Sequence, residues 1–424
     1  MAQDLFLGID LGTGGVRACA IDAAAGIAGI ATTALPAPRQ DGDAIDQDPR
    51  LWWDAVVETI GKLDVDRAVI RRISVDGTSG TLLLTDSDGR PLTPGLMYND
   101  ARAGTEAARI GGIAPAESGA HGRSSALAKL LHLLAQGGEK ARHALHQADW
   151  IAGRLAGRFD GSDENNALKL GYDPVTRRWP DWLDSLGVPR ALLPQVRVPG
   201  AEIGTIDPKM AQLLKLSPAI TIHAGTTDGV AAFIATRASV PGDAVSSLGT
   251  TLVVKLLAEK PVFAADQGIY SHRLGDRWLA GGASNTGGAA LLAHFTAAEL
   301  EAMTPKLKPA QPTGLDYYPL PKPGERFPIA DPNLPPRVTP RPDDDVAFFQ
   351  GLLEGVAAVE ALAYRRLGEL GAPALRRVIS IGGGAKNPAW SEIRRRMLGV
   401  PVTVAEQTES SYGAALLALH GGPP

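Results

Sequence analysis

Apolar and polar positions along the chain fall into short runs whose period changes repeatedly. Leu5-Phe6-Leu7-Gly8-Ile9 and Val16 to Ile21 are bounded apolar runs of strand length, separated by Asp10-Leu11-Gly12-Thr13-Gly14-Gly15. They predict two strands joined by a glycine turn. From Asp48-Pro49 the period becomes helical, with Asp as cap and Pro in the first turn. Trp52, Ala55, Val56, Ile60 and Leu63 then keep to one face. Val69 to Val75 reads as a strand again, followed by the polar turn Asp76-Gly77-Thr78-Ser79-Gly80 and a strand through Leu84. Asp86-Ser87-Asp88-Gly89 closes that hairpin.

Further along, Ala219 to His223 reads as a strand that runs into Gly225-Thr226-Thr227-Asp228 and a helix from Gly229 to about Thr236. Ala244 to Leu248 and Leu252 to Leu257 are strands flanking Gly249-Thr250-Thr251. The tripeptide Leu-Gly-Thr at 11–13 thus recurs at 248–250, each time between two apolar strands. The recurrence predicts a duplicated domain with a cleft between the halves, and the boundary falls near Ser239-Val240-Pro241-Gly242. Thr304 to Pro342 is dense in proline but carries Tyr317, Tyr318 and Phe327, so it reads as a packed irregular excursion. A long helix, roughly Asp343 to Leu370, sets Phe348, Leu352, Val356, Val359 and Ala363 on one face. Val378 to Ile381 is a strand ended by Gly382-Gly383-Gly384, and a helix opens at Asn387-Pro388. Pro401 to Val404 and Ser410 to Leu419 close the chain as strand and helix. Alternating strands and helices make the fold class α/β.

The 424 residues allow two or three domains at about 150 residues each. A formal net charge of −4 makes no electrostatic case for a nucleic-acid partner or a polybasic membrane anchor. Cys19 is the only cysteine, so no intrachain disulfide or thiolate-cluster metal site is available, which suits a reducing cytosol. The opening Met-Ala-Gln-Asp-Leu has neither the basic start nor the apolar core of a signal peptide. No apolar run approaches the ~18 residues of a membrane span. The expectation is a cytoplasmic protein.

The loop of Asp10, Gly12, Thr13, Gly14 and Gly15 is the first candidate site. Its glycines let backbone N–H groups approach a phosphate, and a carboxylate at a strand end can bind a sugar hydroxyl or hold Mg²⁺ through water. A tight hairpin with a capping Asp accounts for the same residues; the recurrence at Gly249-Thr250-Thr251 turns the reading toward a phosphate clamp. The loop lacks the third glycine of the dinucleotide fingerprint and is followed by a strand, and the chain contains no P-loop, G-x-S-x-G or H-E-x-x-H. His143 and His146 are spaced for one face of a solvated helix. Asp228, where a strand ends and a helix begins, is the best candidate base: the helix N-terminus favours its ionised form, although Asp is also an ordinary cap there. Asp76, Thr78 and Ser79 form a second polar cluster at a strand end. Gly383-Gly384-Ala385 with Asn387 and Trp390 suits a nucleotide base and equally suits a glycine turn over a core tryptophan.

These residues together resemble the FGGY carbohydrate kinases of the sugar kinase, chaperone and actin ATPase fold. The matching pieces are Gly8-Ile9-Asp10-Leu11-Gly12-Thr13, Thr227-Asp228-Gly229, Ser247-Leu248-Gly249-Thr250-Thr251 and Gly382-Gly383-Gly384-Ala385-Lys386-Asn387-Pro388. Val75 to Thr81, Met97-Tyr98-Asn99-Asp100, Asn166 to Tyr172, Leu315 to Pro321 and Gly324 to Asp331 are similar to the short D-ribulose kinases. The resemblance implies two ribonuclease-H-like domains, residues 1–238 for sugar and base and 239–424 for ATP, about a central cleft. It implies ATP-dependent phosphorylation of D-ribulose to D-ribulose 5-phosphate, with ADP as co-product and Mg²⁺ as cofactor, and leaves a homodimer open. By it, Asp228 is base and sugar ligand, Asp10 and Ser79 hold sugar hydroxyls, and Asp10 serves Mg²⁺ through water. Thr13, Gly14 and Gly15 face phosphate or sugar, Gly249 and Thr250 the phosphates, and Gly383, Gly384, Asn387 and Trp390 the adenosine. The alternatives are a kinase for another pentulose or polyol, such as D-xylulose, and a nucleotide-binding module of the same fold without sugar chemistry.

Overall fold

In the computed structural model, which describes residues 4–423, the opening apolar runs become the strands Leu5–Gly12 and Gly15–Asp22, paired antiparallel. Residues 1–3, part of the N-terminal pentapeptide read above, and 424 lie outside the described residues. Leu7, Ile9, Leu11, Val16, Ala18 and Ala20 are all buried, as the near-continuous apolar pattern of a strand covered on both faces requires.

One sheet runs in the order Ile27–Ala34, Gly15–Asp22, Leu5–Gly12, Ile70–Gly77, Thr221–His223 and Glu202–Thr205. Its first three strands form an antiparallel meander, and the next two run parallel to Leu5–Gly12. In another sheet Arg277–Ala283, Leu252–Ala258, Asp243–Leu248, Arg377–Ile381 and Val402–Val404 follow the same order and directions. The two Leu-Gly-Thr segments therefore occupy the same hairpin of two equivalent sheets. The fold is α/β with two domains of like topology.

The chain separates into two compact units. The first takes the residues up to Arg237, His272–Gly275 and those from Glu409 onward; the second takes Ala238–Ser271 and Asp276–Thr408. A division at 238/239 puts the closing helix in the second half, but Ser410–His420 packs in the first unit. Glycines let it in. A Cβ on Gly8 would lie 2.0 Å from the Ser411 carbonyl oxygen, and one on Gly413 would lie 1.9 Å from that of Ala231. Backbone contact of this kind is a tertiary event that no local period reports.

Two further expectations are corrected. Leu82–Thr85 does not return along Ile70–Gly77; it joins a separate five-stranded sheet with Arg39–Asp41, Ala44–Gln47, Gly95–Leu96 and His143–His146. The Thr78–Thr81 turn, with Gly80 at φ +85°, sends the chain away between the two sheets. His143 and His146 lie on that last strand rather than on a helix, and His146 is buried with Nδ1 3.1 Å from Asp149 Oδ2. The helices at Pro49–Lys62, capped by Asp48, and at Asp345–Glu369 form where the apolar spacing places them. The second of these is long and apolar enough to cross a membrane, but Phe348, Leu352, Val356, Val359 and Ala363 are core residues of the second unit. Tyr317, Tyr318 and Phe327 of the proline-dense excursion are buried in the same core.

Candidate functional site

Asp10 and Asp76 are Cα partners in the parallel pairing of Leu5–Gly12 with Ile70–Gly77. Both side chains are buried. Asp10 Oδ2 accepts from Arg17 Nη1 at 3.2 Å, while Asp10 Oδ1 and both Asp76 oxygens meet no donor among the described residues. Burial drives both carboxyls above the usual range, Asp76 furthest, and the charges of Asp10, Asp228 and Asp163 push Asp76 further up. Asp76 beside it and the Arg17 guanidinium oppose the rise at Asp10. Both shifts favour the protonated form, because two buried carboxyls facing each other resist ionising together.

Asp228 opens the helix Asp228–Ala235, after Thr227 at its cap, and its Oδ1 accepts from the Gly229 N–H at 2.6 Å. The preceding turn is pressed onto the Asp76 strand. Gly77 bridges Thr227, and a Cβ on Gly225 would stand 1.7 Å from the Val75 carbonyl oxygen. Half-buried at the start of a helix, Asp228 sits in the dipole's favourable field. Asp163 approaches from a third side. Its oxygens accept from the backbone of Asn165 and Asn166 and from Asn166 Nδ2 at 2.6 Å, and Asn165 Nδ2 donates to Thr226 Oγ1 at 3.0 Å. Burial, with Asp149 nearby, pushes Asp163 up to about 7 against those bonds.

Ser79 lies in the turn after Asp76, its Oγ buried and without a partner among the described residues. Lys129 backs this turn: its Nζ donates to the carbonyls of Gly80 at 2.8 Å and Met97 at 2.7 Å, and burial brings it down to about 7. Thr13 and Gly14 form the two-residue tip of the first hairpin, with Gly14 exposed and open on its Cβ side. Gly15 answers a packing need, since a Cβ there would lie 2.7 Å from the Thr33 carbonyl oxygen.

In the second unit, the hairpin turn at Gly249-Thr250-Thr251 lies beside the triple glycine. A Cβ on Gly382, at φ +85°, would come 2.9 Å from the Leu248 carbonyl oxygen. Thr250 and Gly383 are exposed, and Gly383 has open space on its Cβ side. Asn387 caps the helix Pro388–Leu398 through Trp390 N–H at 3.0 Å, and its Nδ2 donates to Thr304 Oγ1 at 3.2 Å. Trp390 is 3% exposed and donates Nε1–H to the Leu353 carbonyl. A Cβ on Gly384 would lie 2.4 Å from its ring. The indole therefore supports the glycine turn from the core side rather than offering an open face.

Among the described residues no three His, Cys, Asp or Glu side chains gather as a metal cage. Asp10 Oδ1 nonetheless suits Mg²⁺, which takes one or two carboxylates and completes its shell with water and substrate phosphates.

Sequence reasoning singled out Asp10, Asp76, Ser79 and Asp228, which the first unit brings together. It passed over Arg17, Asp163, Gln147 and Lys129. Lys129 left one signal, a lysine among the buried alanines and leucines of Ala126–Ala135; the others look like ordinary surface or capping residues in sequence.

Residues 5–235 match the N-terminal domain, and residues 244–422 the C-terminal domain, of the FGGY family of carbohydrate kinases. The xylulose kinase of Streptomyces coelicolor is 27% identical over 446 residues, covering 97% of this chain and 86% of that protein. The crystal structure of a xyloylose kinase from Brucella ovis superposes with a TM-score of 0.90 at 24% identity, over 98% of this chain and 90% of the other. Plasmodium falciparum glycerol kinase with ADP gives a TM-score of 0.84 at 17% identity, over 98% and 89%.

Proposed function

The chain belongs to the FGGY family of carbohydrate kinases, and from that premise we propose that it transfers the γ-phosphoryl group of ATP to a pentulose, D-ribulose, giving D-ribulose 5-phosphate and ADP. Phosphoryl transfer from ATP to a sugar hydroxyl is the family's chemistry; the choice of sugar and the residue roles are this reading's own. The observation that carries it is the convergence of Asp10, Asp76, Ser79 and Asp228 in the first unit. Paired carboxyls of raised proton affinity beside a serine hydroxyl offer the mixed donors and acceptors that a polyhydroxylated ligand requires.

In this reading Asp10 and Ser79 hold sugar hydroxyls, with Thr13, Gly14 and Gly15 at the hairpin tip facing sugar or phosphate. Asp228 accepts the proton of the attacking hydroxyl as the new P–O bond forms and the bond to the ADP oxygen breaks. A loose transition state lets that proton leave late, so position matters more than basicity. Gly249 and Thr250 hold the phosphates, while Gly383, Gly384 and Asn387 form the adenosine turn and Trp390 shapes it from beneath. Mg²⁺, when bound, neutralises phosphate charge, and Asp10 Oδ1 is the oxygen suited to reach it through water.

The second reading takes D-xylulose as acceptor, and the name of the Streptomyces relative favours it. Sugar-dependent ADP release over a panel of pentuloses and polyols tests both. The wild type should turn over D-ribulose best, and Asp228→Ala should lose about 10²–10⁴-fold in kcat with ATP affinity kept. A variant near wild-type rate would remove Asp228 as base; a preference for D-xylulose would establish the second reading.

A further inference from the structure

Gln147 is the first residue of the helix Gln147–Ala156 and is fully buried. Its position is fixed three times over. Its backbone N–H donates to the Thr81 carbonyl at 3.2 Å, and its Oε1 accepts from Thr78 N–H at 3.3 Å and from Thr78 Oγ1 at 2.9 Å. The amide cannot be turned over, because the Thr78 N–H needs an acceptor and the amide nitrogen is not one. Nε2 is thereby committed as a donor, and it has no acceptor among the described residues.

An unpaired buried donor is costly, and a chain that keeps one at a binding site is using it. Gln147 Oε1 would stand 3.2 Å from a Cβ on Gly77, the residue between Asp76 and Thr78 and the one that bridges Thr227. Other buried polar atoms without partners among the described residues include Asp10 Oδ1, both Asp76 oxygens, Ser79 Oγ and Asn166 Oδ1, with His146 Nε2 on the residue before Gln147. Asp10 and Asp76 pair at the ends of neighbouring strands and Ser79 follows in the turn that Gln147 holds through Thr78, a grouping suited to several hydroxyl groups.

We propose that Gln147 reads the acceptor sugar: its Nε2 donates to the hydroxyl on the carbon at which epimeric pentuloses differ, C3 of ribulose and xylulose, and so sets the preference between them. This rests on the pentulose kinase reading above. One epimer places its oxygen on the fixed donor; the other leaves the donor unpaired, and a site built to bond a hydroxyl discriminates strongly against a ligand that cannot supply it.

Gln147→Glu tests this, since it keeps an oxygen for Thr78 and replaces the donor by an acceptor. kcat/KM for D-ribulose and D-xylulose should change in ratio by about tenfold or more, chiefly through KM for the preferred sugar. Gln147→Met removes the donor without adding charge and should shift the ratio in the same direction. The 3-deoxypentulose completes a cycle: deleting the hydroxyl should cost the wild type as much as the variant loses, and should cost the variant little more. An unchanged ratio, or an equal loss on both sugars with the deoxy analogue still penalised in the variant, overturns the proposal while leaving the kinase reading intact. A wild type that phosphorylates no pentulose overturns both.

Discussion

Asp10 and Asp76 face each other as register partners on neighbouring parallel strands, and burial raises the proton affinity of both. Each is an unremarkable strand-end aspartate by itself. Arg17 anchors Asp10 while Asp76 has no cation among the described residues and is raised further, two environments for one residue type.

The pair has a consequence for stability. Asp76 binds its proton more tightly folded than unfolded, because burial and three neighbouring carboxylates raise it. Its contribution is therefore fully present below the unfolded carboxyl value and is lost as pH rises toward the folded one. Asp76→Asn removes the titration and keeps a donor toward Asp10. The variant's melting temperature relative to wild type should rise as the pH is taken up through the range above the ordinary carboxyl value of about 4, and ADP release should fall. A constant difference across that range would mean that Asp76 is ionised in the fold.

Glycines of the first hairpin and its strand should separate sharply. Gly8→Ala drives a methyl into the backbone of the closing helix and should cost more than about 3 kcal/mol. Gly14→Ala enters open space at an ordinary φ and should stay within about 0.5 kcal/mol. Urea unfolding of the two variants reads the difference directly. Similar losses would show that the closing helix does not bear on Gly8.

The second unit carries a buried ion pair. Arg394 donates to both oxygens of Glu360, at 2.6 and 2.7 Å, and to Ser380 Oγ, with Glu360 also accepting from Ser246. Both charges are fully buried, so Glu360→Gln strands a guanidinium and should cost about 3–5 kcal/mol. Glu360→Met with Arg394→Met removes both charges and should cost less than the single change. Guanidinium unfolding of the three proteins settles the order.

The elements legible in the sequence are those with a long or bounded period: the Pro49–Lys62 and Asp345–Glu369 helices, the two glycine hairpins and the strand into Asp228. The duplication was legible because Leu-Gly-Thr recurs between apolar runs, and the sheet orders bear it out. The His143–His146 strand was misread because a spacing of three suits a helix and says nothing of a strand four residues long.

By itself the sequence determined which residues could act, since glycine at a turn and aspartate at a strand end follow from local backbone and side-chain chemistry. Only the tertiary structure decided which of them act together. Leu82–Thr85 leaves for another sheet, Ser410–His420 closes on the first unit, and Gln147 is locked against Thr78. Each outcome depends on desolvation and close packing between distant segments, and those energies exist only once the segments have met.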